Sequence, residues 1–287
     1  MGRKNIGYVF AALAVLALIA VGAALWQGAG EERGKEREAE KNEARAKEEI
    51  NFLLLGLDAR RDGAGRTDTI MAVNFDPAEK RITLLSIPRD TRVMLKGSYD
   101  KINAAYVYGG IQLARSAVEE LLGAEIDRYV IMDFRGFVKI VDLLGGVEVY
   151  VPERMYYPAE GIDLLPGLQV LDGEDALAFA RYRFTEGGDL DRAKRQQELL
   201  KSLWYKTLRI RNVVKIPELT GIVLEYIETD MTKREMAEMV SLAGDFGSYE
   251  LVTVTLPGES RKVDGLWYYL PDWEEMGEVV EVFKKDD

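Results

Sequence analysis

Six arginines stand in short polar stretches of a chain that is otherwise acidic. The 287 residues carry a net charge of −11. The arginines belong to the stretches GRTDTI, IPRDT, RYR and DLDRAKRQQ, and they are Arg66, Arg89, Arg181, Arg183, Arg192 and Arg195. A guanidinium group is planar and always charged, and its N–H groups can bind two oxygens of one phosphate. The arginines therefore predict a site for a phosphate or diphosphate group.

The composition excludes several kinds of chemistry at that site. The chain has no cysteine and no histidine. This rules out thiol catalysis, disulfides and cysteine-ligated zinc, and it removes the usual general base at neutral pH. Catalysis must use carboxylates, lysine, arginine, hydroxyl groups or a hard metal ion bound through oxygen. Acidic residues are spread along the chain, which argues against a nucleic-acid partner.

Two carboxylates are placed to hold such a metal ion. Asp58 ends a predicted strand, and Asp68 begins the next one, close to Arg66. Ligands of α/β sheets bind at strand ends, and Mg²⁺ takes one or two carboxylates together with water and phosphate oxygens. An equally good reading is that Asp68 caps a turn and that Asp58 forms an ion pair with Arg60 or Arg61. Spacing alone leaves both readings open.

The other basic residues also have two readings each. Arg89 and Asp90 come directly after Pro88 at the end of a predicted strand. They are either a pair of site residues or part of an ordinary turn with a surface ion pair. Lys101 is predicted to open a helix, where it either meets an anion beside free backbone N–H groups or is merely solvated.

The arginines of the last two stretches are predicted to lie on consecutive helices. Arg181 and Arg183 close a helix, where they also complement the helix dipole. On the next helix Arg192 and Gln196 are four residues apart and face the same way, so they are the preferred inward-facing pair over Arg195.

The remaining pattern describes the elements that must position these residues. Strands are predicted at 51–58, 70–75, 81–87, 128–134, 147–151, 249–256 and 266–270, with the second and third forming a hairpin through the turn at 76–79. Helices are predicted at 111–122, 137–144, 173–183, 190–209, 216–226, 233–243 and 273–283. Strands that alternate with helices predict an α/β fold with a mixed sheet, formed by residues 50–287.

The N-terminus predicts a membrane protein. Residues 6–26 contain no charged side chain and follow Arg3 and Lys4. A bilayer span needs about 20 apolar residues, and positive charge stays in the cytoplasm. Residues 1–5 are therefore predicted to be cytoplasmic, 6–26 to be a single transmembrane anchor, 27–49 to be a charged helical stalk, and the rest to be extracellular. A cleaved signal peptide is the alternative, but its apolar core is usually shorter.

The ordered set of motifs resembles the LytR-CpsA-Psr family of cell-wall enzymes. The set consists of GLD, RTDTI, IPRDT, KINAAYVYGG, FRGFVKIVDLLGGVEVYVP, LDGEDALAFARYR and DLDRAKRQQ, from residue 51 to beyond residue 204. The resemblance implies a three-layer α/β/α sandwich with a mixed central sheet and a hydrophobic tunnel for a prenyl chain. It also implies a phosphotransferase that moves a glycopolymer, such as a teichoic acid or capsule, from a polyprenyl-diphosphate carrier to a peptidoglycan sugar hydroxyl.

The resemblance also implies roles for the residues introduced above. The diphosphate would be held by Arg89, Lys101, Arg181, Arg183, Arg192 and Gln196. Asp58 and Asp68 would hold Mg²⁺ with Arg66 nearby, and Asp90 or Asp189 would accept the proton of the acceptor hydroxyl. Two rival functions remain: a polyprenyl-diphosphate hydrolase that uses water as acceptor, and a non-catalytic regulatory membrane protein that binds the lipid diphosphate. The sequence leaves the polymer, the accepting hydroxyl and the oligomeric state open.

Overall fold

A computed structural model describes most of the chain after residue 48. The described residues are 49–57, 67–182, 184–185, 195, 198–199, 202–203, 206, 225–232, 234–235 and 248–284, without the side chain of Asp68. The predicted anchor lies outside them, as does the predicted stalk apart from residue 49, and so do most residues of the three helices predicted between residues 190 and 243. Within the described part of the chain, no helix is both long enough and apolar enough to cross a bilayer.

The described residues form strands and helices in an alternating order. The strands are β1 (Ile50–Leu57), β2 (Thr67–Asp76), β3 (Arg81–Ser86), β4 (Arg92–Leu95), β5 (Ser98–Lys101), β6 (Arg128–Asp133), β7 (Val147–Val151), β8 (Met155–Tyr157), β9 (Ile162–Leu164), β10 (Gly167–Leu171), β11 (Ile227–Thr229), β12 (Glu250–Thr255), β13 (Gly258–Val263) and β14 (Leu266–Pro271). The helices are α1 (Ala104–Leu122), α2 (Phe134–Leu143), α3 (Gly173–Arg181) and α4 (Trp273–Glu281), with a 3-10 turn at Pro158–Glu160.

These elements belong to two compact units. The sheet unit comprises the described residues of Gly30–Val130, Thr229–Met231 and Ser248–Asp287. The ribbon unit comprises the described residues of Ile131–Glu228 and Thr232–Gly247.

The main sheet has six strands in the order β11-β6-β1-β2-β3-β12. β1 is a continuous apolar run buried along nearly its whole length, which is typical of a central strand. β2 is antiparallel to both β1 and β3, whereas β12 is parallel to β3, so the sheet is mixed. The antiparallel pairing of β2 and β3 confirms the predicted hairpin. The Asp76 carboxylate accepts the N–H groups of Ala78 and Glu79 and closes its turn.

Asn51 joins the ends of the sheet unit. Its side chain is 1% exposed and donates to the carbonyl oxygens of Glu125, at 3.0 Å, and Phe283, at 2.7 Å. Its backbone N–H donates to the Asp127 carboxylate at 2.8 Å. One buried amide therefore fixes the start of β1 against the segment after α1 and the segment after α4.

The ribbon unit is built from two-stranded ribbons and two helices. β7 pairs with β10, and β8 pairs with β9, both antiparallel. The N-terminus of α3 lies directly on α2: Gly173 donates to the Asp142 carboxylate at 2.8 Å, and a Cβ atom at Gly173 would stand 2.3 Å from the carbonyl oxygen of Val138. Only a residue without a side chain fits this contact.

The α/β class and the mixed sheet are confirmed. Strand β7 has the predicted bounds, and β1, β3, β6, β12, β14 and helix α4 begin and end within two residues of them. Helix α1 consists of two helical pieces joined at Gly109 and Gly110, whose φ/ψ angles are not helical. The second piece is the helix predicted at 111–122, and the first is the helix that the stretch at 101–105 is predicted to open. The sequence did not predict the short strands β4, β5, β8, β9, β10, β11 and β13. The layer arrangement stays a prediction, as does the extent of the catalytic domain.

Candidate functional site

The segment that carries Arg89 and Asp90 leaves the sheet at the end of β3. The ladder continues for one more bond, from the Ile87 N–H to the Ile70 carbonyl at 3.0 Å. Pro88 has no N–H to continue it. The Pro88 carbonyl instead accepts both the N–H and the hydroxyl of Thr91, at 2.8 and 2.5 Å, and Thr91 is fully buried. The chain therefore turns sharply and presents Arg89 and Asp90 from the sheet end.

Backbone hydrogen bonds hold this turn on both sides. The carbonyl oxygen of Arg89 accepts from Asn103, and that of Thr91 accepts from Ile102. On the other side the carbonyl oxygen of Asp90 accepts the N–H of Tyr269 at 2.8 Å. The positions of Arg89 and Asp90 are thus fixed before any ligand binds, which is the arrangement that binding and catalysis require.

Lys101 meets this turn through its side chain. Its ammonium nitrogen lies 2.9 Å from Oδ1 of Asp90, and the two side chains are 32% and 21% exposed. A partly exposed ion pair of this kind can exchange partners when a stronger anion arrives. The structure thus brings together two of the residues assigned to the site, one basic and one acidic.

The stretch at 101–105 opens a helix as predicted, but Lys101 itself does not lie in that helix. Lys101 is the last residue of β5, and α1 begins at Ala104. The N–H groups of Ile102, Asn103 and Ala105 already donate to carbonyl oxygens within the chain. Two N–H groups of the helix N-terminus, those of Asn103 and Ala105, are therefore already used, and Lys101 contributes its ammonium group from the end of a strand.

The two candidate metal ligands belong to adjoining strand ends. Asp58 follows β1 and, like Arg66, lies outside the described residues. The backbone of Asp68 forms a β-bulge, because Gly56 pairs with Thr69 and Leu57 pairs with Thr67. Two carboxylates are oxygen donors of the kind that Mg²⁺ takes, so the residue types fit the ion. Among the described side chains, no group of three acidic residues is placed to hold a metal ion by itself.

Arg181 lies in the ribbon unit at the end of α3. Its guanidinium group lies 3.1 Å from the carboxylate of Glu160, and its Cζ atom is 5.8 Å from the centre of the Phe134 ring. The arginine is therefore half-buried and held on two sides. Arg183, Asp189, Arg192 and Gln196 lie outside the described residues, and their roles stay predictions.

Arg195 has a structural role that its position in the sequence does not indicate. It is 3% exposed, and its guanidinium donates to the carbonyl oxygen of Tyr182 at 2.6 Å. Tyr182 is the residue that caps α3. Arg195 thus stabilises the end of the helix that carries Arg181. Helical spacing favoured Arg192 and Gln196 as the inward pair and gave no sign that Arg195 is buried.

A second arginine next to the turn was also missed. The Cζ atom of Arg92 lies 3.7 Å from the centre of the Tyr99 ring and 5.8 Å from that of Tyr268, and the ammonium nitrogen of Lys101 lies 6.0 Å from the same Tyr268 ring. These distances define the Arg92 cluster: Arg92, Tyr99, Lys101 and Tyr268. The one sign of this cluster in the sequence is that Arg92 directly follows IPRDT. The cluster could not be predicted from that alone, because Tyr99 and Tyr268 are far apart in the chain.

A fixed turn with basic side chains at the end of a strand defines an α/β protein suited to binding an anion. Residues 22–285 match the LytR_cpsA_psr family. The chain belongs to this family, which confirms the resemblance found from the motifs.

Individual relatives agree with this assignment. The chain is 30% identical to the polyisoprenyl-teichoic acid–peptidoglycan teichoic acid transferase TagU of Enterococcus faecalis, over 99% of this chain and 97% of that protein. It is 33% identical to the regulatory protein MsrR of Staphylococcus aureus, over 72% of this chain and 64% of that protein.

Solved structures share the fold. Bacillus subtilis TagV has a TM-score of 0.69 at 32% identity, with 83% of this chain and 96% of that chain covered. A structure of TagT bound to LI-WTA has a TM-score of 0.67 at 30% identity, with 82% of this chain and 89% of that chain covered.

Proposed function

We propose that this protein is a phosphotransferase that moves a wall glycopolymer from a polyprenyl-diphosphate carrier to a sugar hydroxyl of peptidoglycan. The observation that carries the proposal is the match to relatives named as teichoic acid transferases, at 30–33% identity over 78–99% of this chain. The turn that fixes Arg89 and Asp90 beside Lys101 supports it from the structure.

The reaction needs no cofactor as a source of energy. The acceptor hydroxyl attacks the phosphorus that bears the glycan, a new phosphodiester forms, and prenyl monophosphate leaves with the electrons of the broken P–O bond. The acceptor proton passes to a base or to solvent. Phosphoryl transfer depends on alignment and on neutralising charge at the phosphate oxygens, so the absence of histidine is no obstacle.

Basic residues supply that neutralisation in the proposal. The diphosphate ligands are Arg89, Lys101, Arg181, Arg183, Arg192 and Gln196. Lys101 is paired with Asp90, and a phosphate oxygen would compete for its ammonium group. Asp90 would then be able to accept the proton of the attacking hydroxyl, with Asp189 as the alternative acceptor and Arg66 assisting at the metal.

Mg²⁺ is proposed as the cofactor, with Asp58 and Asp68 as its ligands. The ion would neutralise charge on the diphosphate. The support is chemical: carboxylates beside an anion site repel the anion unless a cation lies between them.

The proposed location is the outer face of the cell membrane, with the N-terminal segment as a single anchor. The support is the uncharged run of residues 6–26 after Arg3 and Lys4. A lipid-linked donor is confined to the same membrane, so the anchor would keep enzyme and donor together.

The test uses the full-length chain in detergent with a short-chain prenyl-diphosphate glycan, peptidoglycan fragments and Mg²⁺. The proposal expects prenyl monophosphate together with an acceptor that is heavier by one phosphoglycan, and loss of both products in Arg89→Ala. Prenyl monophosphate without an acceptor adduct would establish the hydrolase instead.

A regulatory protein that only binds the lipid is the second candidate, since one relative is named as a regulatory protein. It expects lipid binding without turnover of any donor, and binding that does not require Mg²⁺.

A further inference from the structure

Arg92 is a cation held by aromatic rings rather than by a carboxylate. Its guanidinium stacks on Tyr99 at 3.7 Å and lies 5.8 Å from Tyr268. Its Nε atom is buried and has no hydrogen-bond acceptor among the residues that the structure describes. Buried charged donors in proteins are nearly always paired, so this one requires an explanation.

The carboxylates near Arg92 are engaged elsewhere. Asp90 pairs with Lys101. Asp100 accepts the backbone N–H of Lys101 and the hydroxyl of Tyr108. In the described part of the chain, no carboxylate lies within ion-pair distance of Arg92. The aromatic rings stabilise the charge but do not neutralise it.

Arg92 also faces a second cation. It is the direct partner of Lys101 across the β4–β5 pair, so the two side chains share a face. Like charges in facing positions destabilise a sheet, and such a pair has no structural benefit of its own. Asp90 neutralises Lys101, so none of the carboxylates in the described part of the chain balances the charge of Arg92 beside the proposed phosphate ligands.

We propose that Arg92 binds a phosphate oxyanion of the donor, as a site residue additional to those assigned above. This inference rests on the proposed function, because it takes the donor to be a lipid-linked phosphoglycan. The oxyanion has two possible sources: the diphosphate of the carrier, or a phosphodiester within the glycopolymer. In the second case Arg92 selects anionic polymers over uncharged ones.

The two tyrosines give the arginine its fixed orientation. Tyr268 is 9% exposed and belongs to the β13–β14 pair, whose backbone is bonded to Asp90 through Tyr269. Tyr99 is 53% exposed and covers one face of the guanidinium. The plane of the guanidinium is therefore set before the ligand arrives, which reduces the entropy lost on binding.

The experiment compares two donors and three variants in the full-length chain. Both donors carry the same short prenyl diphosphate and disaccharide, and one also carries a short oligo(glycerol phosphate). Arg92→Gln removes the charge and Arg92→Lys keeps it without the planar fork. Arg261→Gln is the matched control, because Arg261 is an exposed arginine of the same unit that pairs with Glu259.

A lost charge-assisted hydrogen bond predicts that Arg92→Gln lowers kcat/KM by about 10- to 100-fold. A loss confined to the phosphodiester donor assigns the polymer as the source, and an equal loss with both donors assigns the carrier diphosphate. Arg92→Lys is expected to recover part of the activity, and the loss should shrink as salt is raised. Unchanged kcat/KM with both donors would overturn the inference.

Two further measurements separate the role of Arg92 from effects on folding and from the proposed function. Thermal unfolding of Arg92→Gln must match that of the wild type, so that lost activity is not lost structure. If the wild type transfers neither donor, the proposed function fails; calorimetric binding of each intact donor then tests Arg92 directly. Weaker binding by Arg92→Gln, but not by Arg261→Gln, would support the inference, and equal binding would refute it.

Discussion

At the scale of single residues, the pair of Lys101 and Asp90 is better suited to chemistry than to stability. Both side chains are partly exposed, and an ion pair in contact with solvent contributes about 0–1 kcal/mol. The backbone around it is held by main-chain hydrogen bonds that do not involve either side chain. Removing the pair should therefore leave the fold intact and change only the handling of the substrate.

Lys101→Gln is predicted to lower kcat/KM for transfer by about 10- to 100-fold, since a charge-assisted contact to phosphate is lost. The thermal unfolding midpoint should shift by no more than about 2 °C. Steady-state assays and calorimetry check the two parts. Arg154→Gln is the matched control, because it breaks an exposed ion pair with Asp163. If both variants lose activity equally, Lys101 has no specific role.

Asp175 provides a pH-dependent prediction. Partial burial raises its pKa, and the charges of Asp172 and Glu174 raise it further. A carboxyl group with a raised folded-state pKa contributes stability that is fully present below its unfolded pKa, near 4, and is lost as the pH rises through the folded pKa. Asp175→Asn should therefore raise the unfolding midpoint at pH 7, by at most about 2 °C because solvent screens the group, and should have no such effect in acid.

Asp163 is the matched control, because its pKa is shifted in the opposite direction. The hydrogen bond from Arg154 lowers its pKa, so its contribution is present above the unfolded pKa and is lost in acid. Asp163→Asn should slightly lower the midpoint at pH 7. Scanning calorimetry of both variants across pH 3–7 tests the pair, and shifts of the same sign would contradict the assignment.

The site shows which residues local sequence can identify. Arg89, Asp90 and Lys101, which lie together in the structure, could be proposed from the sequence because short motifs surround them. Arg92 could not be proposed from the sequence, because its environment depends on Tyr268, which is distant in the chain. The pairing of Tyr269 with the IPRDT turn brings Tyr268 next to Arg92. The role of Arg195 could not be predicted either, because helical spacing does not reveal that a guanidinium is buried against the end of another helix.

At the scale of elements, burial decides which strands the sequence reveals. β1 and β3 are buried and apolar, and their predicted bounds are nearly right. β13 is exposed over most of its length and has the sequence GESRKV, which gives no alternation to detect. Its strand conformation comes from pairing with β14, which is itself positioned by Asp90 and Thr91.

Two glycines test how helices are placed. Gly173→Ala would put a Cβ atom 2.3 Å from the Val138 carbonyl oxygen, so α3 must move away from α2. We expect a loss of about 2 kcal/mol, or a midpoint lower by roughly 4–8 °C. Because α3 ends at Arg181, transfer activity should fall as well.

Gly277→Ala is the matched control for this substitution. Gly277 lies inside α4, and nothing stands within 4 Å of the position of an added Cβ atom. Alanine there should stabilise the protein by up to about 1 kcal/mol through helix propensity. Chemical denaturation measures both variants. Equal effects would show that the contact with Val138 does not determine where α3 begins.

At the scale of the whole molecule, the negative net charge leads us to expect that activity requires a metal ion. The chain carries −11 and is proposed to bind a diphosphate, so the acidic residues near the site must be screened. Removing Mg²⁺ with EDTA is predicted to abolish transfer, and added Mg²⁺ should restore it. The double variant Asp58→Asn, Asp68→Asn should lose activity in a way that Mg²⁺ does not restore. Full activity of the wild type in EDTA would exclude the proposed metal.

The last prediction concerns the N-terminal segment. A chain that begins at Glu49 lacks the uncharged run and the charged stretch after it, so it should leave the membrane fraction. Its unfolding should match that of the full chain, because residues 50–287 are predicted to be the catalytic domain. In detergent with a short-chain donor, kcat/KM should be unchanged.

With a long-chain donor in vesicles the two chains should differ. The full chain and the donor share one membrane, which raises their effective concentration, whereas the truncated chain must find the donor from solution. We therefore expect transfer to fall at least about 10-fold for the truncated chain in vesicles alone. An equal loss in detergent would mean that residues 1–48 contribute to the catalytic domain itself, and retention in the membrane fraction would mean that other parts of the chain bind the bilayer.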